Sequence, residues 1–329
     1  MILKQADKLR LFLFFKGSDY MRIFDAHCDT ISKLLETNEC LLKNSFQLDI
    51  ERMELFGTYI QIFAAFIDKK SIKATPLNRC LSLIEKYKAE LKKGRIEPIL
   101  TKEDLMRADK NGGAYSILAI EGGEALGGDT NTLSMYYDAG VRLITLTWNW
   151  ANEIAEGVCE DRGGGLTDFG RQVVSAMENM GIMIDVSHLS KKGFWDVIDC
   201  TEKPFIASHS CVEALCSHIR NLDDEQIKAI IEREGVIGVN FYPEFLSDTG
   251  RARAERIYEH IEYILGMNGE NSVGFGSDFD GVDLLPDDMS GAEDIQKLIS
   301  VMAGKGLPSE LIEKIAFGNF SRIFYEILK

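Results

Sequence analysis

Short apolar runs alternate with helical periodicities along most of the chain. The first convincing strand follows Met21 and runs into Phe24-Asp25-Ala26-His27-Cys28-Asp29-Thr30, where Thr30 is placed to cap a helix through Ile31, Leu34 and Leu35. Residues 49–53 read as a short helix ahead of Thr58–Phe66, an apolar run suited to a buried strand. Helical spacing then carries Leu77, Leu81, Ile84, Tyr87 and Leu91 across 76–93, and Gly94 marks the stop. Further strands are predicted at 114–120, 141–147, 182–186, 204–207, 236–241 and 273–276. Helices fall between them at 132–139, 167–180, 223–232 and 251–265, the first three closed by Gly140, Gly181 and Gly235, and two more follow at 293–302 and 309–317.

Eight apolar strands, each followed by helix, predict an α/β fold of the (β/α)8 barrel type. The runner-up is an open doubly wound sheet, but no G-x-G-x-x-G follows a strand. No linker or low-complexity segment divides the chain, so 21–329 reads as one barrel domain. Residues 1–20 read as an N-terminal extension of unassigned role. Their apolar stretch at 9–15 is interrupted by Arg10, is too short to span a bilayer and lacks a small-residue cleavage site.

Charge narrows the partners. The 37 basic and 52 acidic side chains leave a net charge of -15, which disfavours nucleic acid and anionic membrane. Seven cysteines, odd in number and never in C-x-x-C spacing, read as free thiols, and with them a cytoplasmic location is expected. Cys28, turned to the opposite strand face from His27 and Asp29, reads as packing.

The polar residues that end the strands carry the chemistry. His27 and Asp29 follow the first strand, Glu121 the third, His188 the fifth, His209 the sixth and Asp278 the eighth. Each alone has a plain structural role open to it. Together they converge, because a parallel barrel opens all its strand C-termini onto one face, and six buried ionisable groups there need a common partner. A metal pair supplies it. Imidazole and carboxylate suit Zn²⁺, two ions per chain, with Mn²⁺, Fe²⁺ or Co²⁺ allowed by ligand type. Glu121 is best placed to bridge two ions that share a hydroxide nucleophile. Gly122, Gly123, Gly274 and Gly276 are expected to admit close backbone approach around the site. His218 and His260, in or beside helical stretches, are expected at the surface.

The runs Asp25-Ala-His27-Cys-Asp29-Thr30, Ile120-Glu121-Gly-Gly, Ile184-Asp185-Val-Ser-His188-Leu-Ser190, Ser208-His209-Ser210, Arg220-Asn221 and Val273-Gly-Phe-Gly-Ser-Asp278-Phe-Asp280-Gly281 resemble the membrane (renal-type) dipeptidase family, zinc peptidases on an amidohydrolase-like barrel. The resemblance runs in order from about residue 22 to the C-terminus. It implies that His27 and Asp29 bind one zinc, His188 and His209 the other, and that Glu121 bridges. Asp278 then matches the acid/base that handles the proton of the attacking water, and Arg220 the clamp on the dipeptide's C-terminal carboxylate. Tyr242 is expected to line the pocket, with Ala125 and the 148–161 loop shaping it. Where mammalian members carry a substrate-binding histidine after strand four, this chain reads Thr147-Trp148-Asn149-Trp150, and Asn149 or Asn152 is expected to donate to the oxyanion instead. The lipid-anchor tail of animal members is not expected, a homodimer is, and a C-terminal D-residue should be tolerated. Two alternatives stay open: the same barrel acting on another amide, lactam or lactone, and a barrel that binds metal or peptide without catalysis.

Overall fold

The computed structural model describes residues 21–67 and 74–329. The extension predicted at 1–20 lies outside the described residues. Eight parallel strands follow in chain order: β1 (Arg22–Cys28), β2 (Thr58–Phe66), β3 (Gly113–Glu121), β4 (Val141–Thr145), β5 (Met183–Asp185), β6 (Ile206–Ser210), β7 (Val236–Val239) and β8 (Val273–Phe275). Each pairs with its neighbour in sequence, and β1 with β8 closes the ring. This is the expected (β/α)8 barrel. A two-residue strand, Glu97–Pro98, pairs on the outside of β3.

The helices are α1 (Thr30–Glu36), α2 (Ile50–Met53), α3 (Pro76–Leu91), α4 (Lys102–Asn111), α5 (Asn131–Ala139), α6 (Asp168–Met180), α7 (Lys191–Cys200), α8 (Asp224–Glu232), α9 (Pro243–Leu246), α10 (Ala254–Gly266), α11 (Ile295–Gly304), α12 (Ser309–Glu313) and α13 (Asn319–Ile327). Several start on side-chain caps: Thr75 before α3, Thr167 before α6, Ser190 before α7, and capping boxes at Thr101/Asp104 and Asp223/Gln226. α4, α7, α9 and α13 were not expected from the pattern. Thr30 does not cap α1: Asp29 occupies that position, and the Thr30 hydroxyl donates to Asp280 at 2.5 Å. Behind α8 the left-handed residue is Glu234 (φ 56°), not Gly235.

Apolar side chains sort onto two faces. Outward residues such as Tyr59, Phe63, Leu118 and Ile144 pack under the helices. Inward residues Ile60, Ile62, Ile117, Leu143, Met183, Ile206 and Val236 fill the barrel and meet Phe317, Phe320 and Phe324 at its N-terminal end. Phe24 stacks there, its ring 5.3 Å from Phe324 and 5.5 Å from Phe320. α13 therefore floors the barrel. All seven cysteines are free thiols, and among the described residues no helix is long and apolar enough to cross a membrane.

Candidate active site and metal centre

Inner-face positions change character toward the strand C-termini. Along β3, Tyr115, Ile117 and Ala119 are apolar filling and the next inward position is Glu121. Met183 is followed two residues on by Asp185, and Ile206 by Ser208. The polar mouth is thus the last layer of the same alternation that builds the core.

The two strand histidines need more than alternation. Pairing register shifts between Asp25 and Cys28 on β1, and between Ala207 and Ser210 on β6. His27 and His209 sit in those irregular steps, which re-aim a side chain that regular pleating would turn elsewhere. His188 (φ 66°) and Asp278 (φ 63°), both beyond strand ends, adopt left-handed backbone, uncommon for residues with a Cβ.

These devices bring all six predicted groups together, each at most 9% exposed. His27 Nε2 lies 3.4 Å from Asp29 Oδ2, 3.4 Å from Glu121 Oε2 and 3.8 Å from Asp278 Oδ1. Glu121 turns its other oxygen to the remaining imidazoles, with Oε1 3.1 Å from His188 Nε2 and 3.7 Å from His209 Nε2. His188 Nε2 and His209 Nε2 are 2.8 Å apart. The second nitrogen of each ring faces an oxygen: His188 Nδ1 is 2.7 Å from Asn149 Oδ1, and His209 Nδ1 is 2.7 Å from Ser208 Oγ. With both Nδ1 atoms donating, the two Nε2 lone pairs crowd together beside the Glu121 carboxylate. That arrangement is repulsive by itself and fits a shared cation. Among the described residues, His27 Nδ1 and Asp29 Oδ1 are buried without a hydrogen-bond partner.

Burial pushes these groups toward neutrality from both sides. It raises Asp29 to about 6 and Asp278 to about 7, in each case aided by neighbouring carboxylates. It lowers His188 to about 4 and His209 well below its ordinary range, with Arg220 adding to both. His27 goes the other way: burial opposes its charging, but Glu121 and Asp29 outweigh it and hold the imidazole above its ordinary range. A cluster whose members cannot all take their usual charge is suited to a divalent ion. His27, Glu121 and His209, and also His27, Asp29 and Asp278, have ligand atoms near enough together to hold one.

The cluster floors a cavity of about 410 Å³ whose wall includes Phe66, Trp148, Asn149, Tyr242 and Phe245, with Lys33 and Arg79 on the side of α1 and α3. Arg220 is buried in an adjoining cavity of about 110 Å³ that shares His188; its Nη2 donates to the His209 carbonyl at 3.1 Å, and its Nε has no hydrogen-bond partner among the described residues. Asn149 and Tyr242 line the main cavity. Asn152 does not: its Nδ2 donates to the Leu146 carbonyl, and its Oδ1 accepts from Ile154 and Ala155 N–H, so it folds the loop. Ala125 is buried in the outer packing layer, away from the cavity lining. Gly122 (φ 89°) holds a backbone conformation that side chains rarely adopt, and a Cβ on Gly123 would press on the Leu146 carbonyl oxygen at 3.0 Å. Gly276 packs on the Ser208 backbone, whereas Gly274 makes room for Phe320 of the floor.

His260 corrects an expectation. It is fully buried, with Nδ1 accepting from Val212 N–H at 3.1 Å and Nε2 3.0 Å from the Leu246 carbonyl, a structural hinge between loops. His218 is half-buried against Phe245. Asn240 went unassigned in the sequence, yet its Nδ2 donates to Asp278 Oδ2 at 2.9 Å. Its signal was the one that exposes Glu121: a polar side chain at the inward position just past an apolar strand.

Fold and site define a metallohydrolase-type barrel. The chain belongs to the membrane dipeptidase family (peptidase family M19), whose model matches residues 18–329. It is 34% identical over 244 residues to the uncharacterized protein in the pqqA 5′ region of Klebsiella pneumoniae, covering 71% of this chain and 90% of that one. It is also 34% identical over 219 residues to dipeptidase aclJ of Aspergillus oryzae, covering 64% of this chain and 51% of the fungal protein, about half its length. A metallopeptidase structure from Rhodobacter sphaeroides, liganded with a phosphinate mimic of the dipeptide L-Ala-D-Ala, is 25% identical with a TM-score of 0.87, covering 94% of this chain and all of that one.

Proposed function

We infer that this chain is a binuclear zinc dipeptidase, hydrolysing the single peptide bond of small dipeptides. The observation that carries the reading is the split posture of Glu121, one oxygen toward His27 and the other toward His188 and His209. His27 and Asp29 would hold one ion and His188 and His209 the second, with Glu121 common to both; another divalent transition metal would suit the same donors. Bound there, the metal would polarise the scissile carbonyl and make water a nucleophile at neutral pH.

The protein's own groups do the rest. Asp278, its carboxyl raised to about 7 chiefly by burial, takes a proton from the attacking water and returns it to the leaving nitrogen. Arg220 presents to the substrate carboxylate a buried Nε–H that has no partner among the described residues. Asn149 has its oxygen engaged by His188, which leaves the amide nitrogen to donate to the substrate carbonyl oxygen. Tyr242 bounds the pocket, whose volume is at the small end for ligand sites and suits a dipeptide. Tolerance of a C-terminal D-residue is part of the proposal, supported by the ligand of the Rhodobacter relative.

The test pairs elemental analysis with an L,L and L,D dipeptide panel on wild type and Asp278→Asn. Two zincs per chain are expected, with turnover lost by at least ~100-fold in the variant and abolished when the substrate carboxylate is amidated. Two zincs without turnover of any dipeptide would move the reading to another amide or lactone. Absence of stoichiometric metal after metal-replete preparation would overturn it.

A further inference from the structure

One buried carboxylate outside the ligand set reaches it through a single hydroxyl. Asp185, at the end of β5, is fully buried and accepts four hydrogen bonds: Ser187 N–H at 3.0 Å and Ser208 N–H at 2.8 Å on Oδ1, Thr145 Oγ1 and Ser208 Oγ each at 2.6 Å on Oδ2. Ser208 Oγ also lies 2.7 Å from His209 Nδ1. A serine hydroxyl carries one proton. Two main-chain N–H groups and the Thr145 hydroxyl already hold the carboxylate as an acceptor, so the Ser208 proton goes to Asp185. The Ser208 oxygen must then accept from His209 Nδ1–H. This leaves His209 Nε2 as the bare lone pair that faces Glu121 and His188.

We propose that Asp185 and Ser208 are positioning residues that fix the tautomer of His209 and so set the affinity of the metal site. The inference rests on His209 being a metal ligand. The three imidazoles are held differently: His188 by Asn149, His209 by this relay, and His27 with no partner on Nδ1 among the described residues. The relay has little room to shift, because Gly238 and Gly276 press on Ser208, where a Cβ on either would come within 2.0 Å of its carbonyl oxygen. Outer-shell partners of this kind commonly change metal affinity by ~10- to 100-fold.

The test starts on metal-free wild type. Long-range ¹H–¹⁵N correlations of ¹⁵N-histidine-labelled protein should report His209 protonated on Nδ1; protonation on Nε2 would overturn the proposal without any variant. Zinc affinity is then measured by competition with a chromogenic chelator. Ser208→Ala, which leaves three of the donors to Asp185 in place, should bind zinc ~10- to 100-fold more weakly with the unfolding midpoint of the metal-free protein nearly unchanged. Asp185→Asn should shift His209 toward Nε2–H, because the new amide donates to Ser208 and turns its hydroxyl toward the ring. Wild-type zinc affinity in Ser208→Ala would overturn the proposal while leaving the metal site intact. Failure of wild type itself to bind zinc would instead remove the reading on which it rests.

Discussion

At the scale of single residues, a few buried polar contacts decide what the site does. Asn240 bridges Asp278 Oδ2 and the Tyr242 N–H, accepting the latter at 2.7 Å. Asn240→Ala should lower kcat by ~10- to 100-fold with little change in KM, since misplacing the acid/base forfeits part of a contribution worth ~10²- to 10⁴-fold; steady-state kinetics at saturating zinc check it. Far from the site, His260 is expected to make stability acid-sensitive. Burial holds its pKa down at about 4 against an ordinary 6.5, so the folded protein refuses a proton the unfolded chain accepts. Its neutral form costs nothing above the unfolded value, and stability falls as pH drops from there toward the folded one. The full loss is on the order of 3 kcal/mol. Urea unfolding at successive pH values should show that slope, and His260→Gln should flatten it.

At the scale of elements, the barrel was legible because its strands are buried on both faces and its helices are not. Thr58–Phe66 and Val141–Thr145 announce themselves as apolar runs, and the polar residue at each strand end marks the mouth. Other features left no such mark. α4 carries mostly charged residues, with Leu105 and Ala108 alone turned inward, so its periodicity is thin. α13 follows α12 through a π turn at Lys314–Gly318, which shifts the helical phase and hides the second segment. The aiming of the site was the least visible part, because it depends on bulges at His27 and His209 and on left-handed backbone at His188 and Asp278. Irregularities of this kind are set by neighbouring strands rather than by local composition. Gly276→Ala tests that dependence: its Cβ would fall 1.9 Å from the Ser208 carbonyl oxygen. A loss of ~3 kcal/mol or more is expected from forced backbone movement, read by denaturant unfolding, with weakened zinc binding as β6 shifts.

At the scale of the whole molecule, the floor is as necessary as the mouth. Phe320, Ile323, Phe324 and Ile327 of α13 are nearly fully buried against the inward side chains of the strands. Deleting residues 319–329 would expose that interior, and the expected result is loss of cooperative unfolding with dye-accessible apolar surface, since several side chains worth ~1.5–3 kcal/mol each would lose their burial. The same aromatic packing that seals this end also sets the traffic of the reaction. Among the described residues the bottom of the barrel is stopped, so both amino acids released by hydrolysis are expected to leave through the mouth by which their parent dipeptide came in. Until both have gone the next dipeptide waits outside, and free amino acids should compete with it for entry.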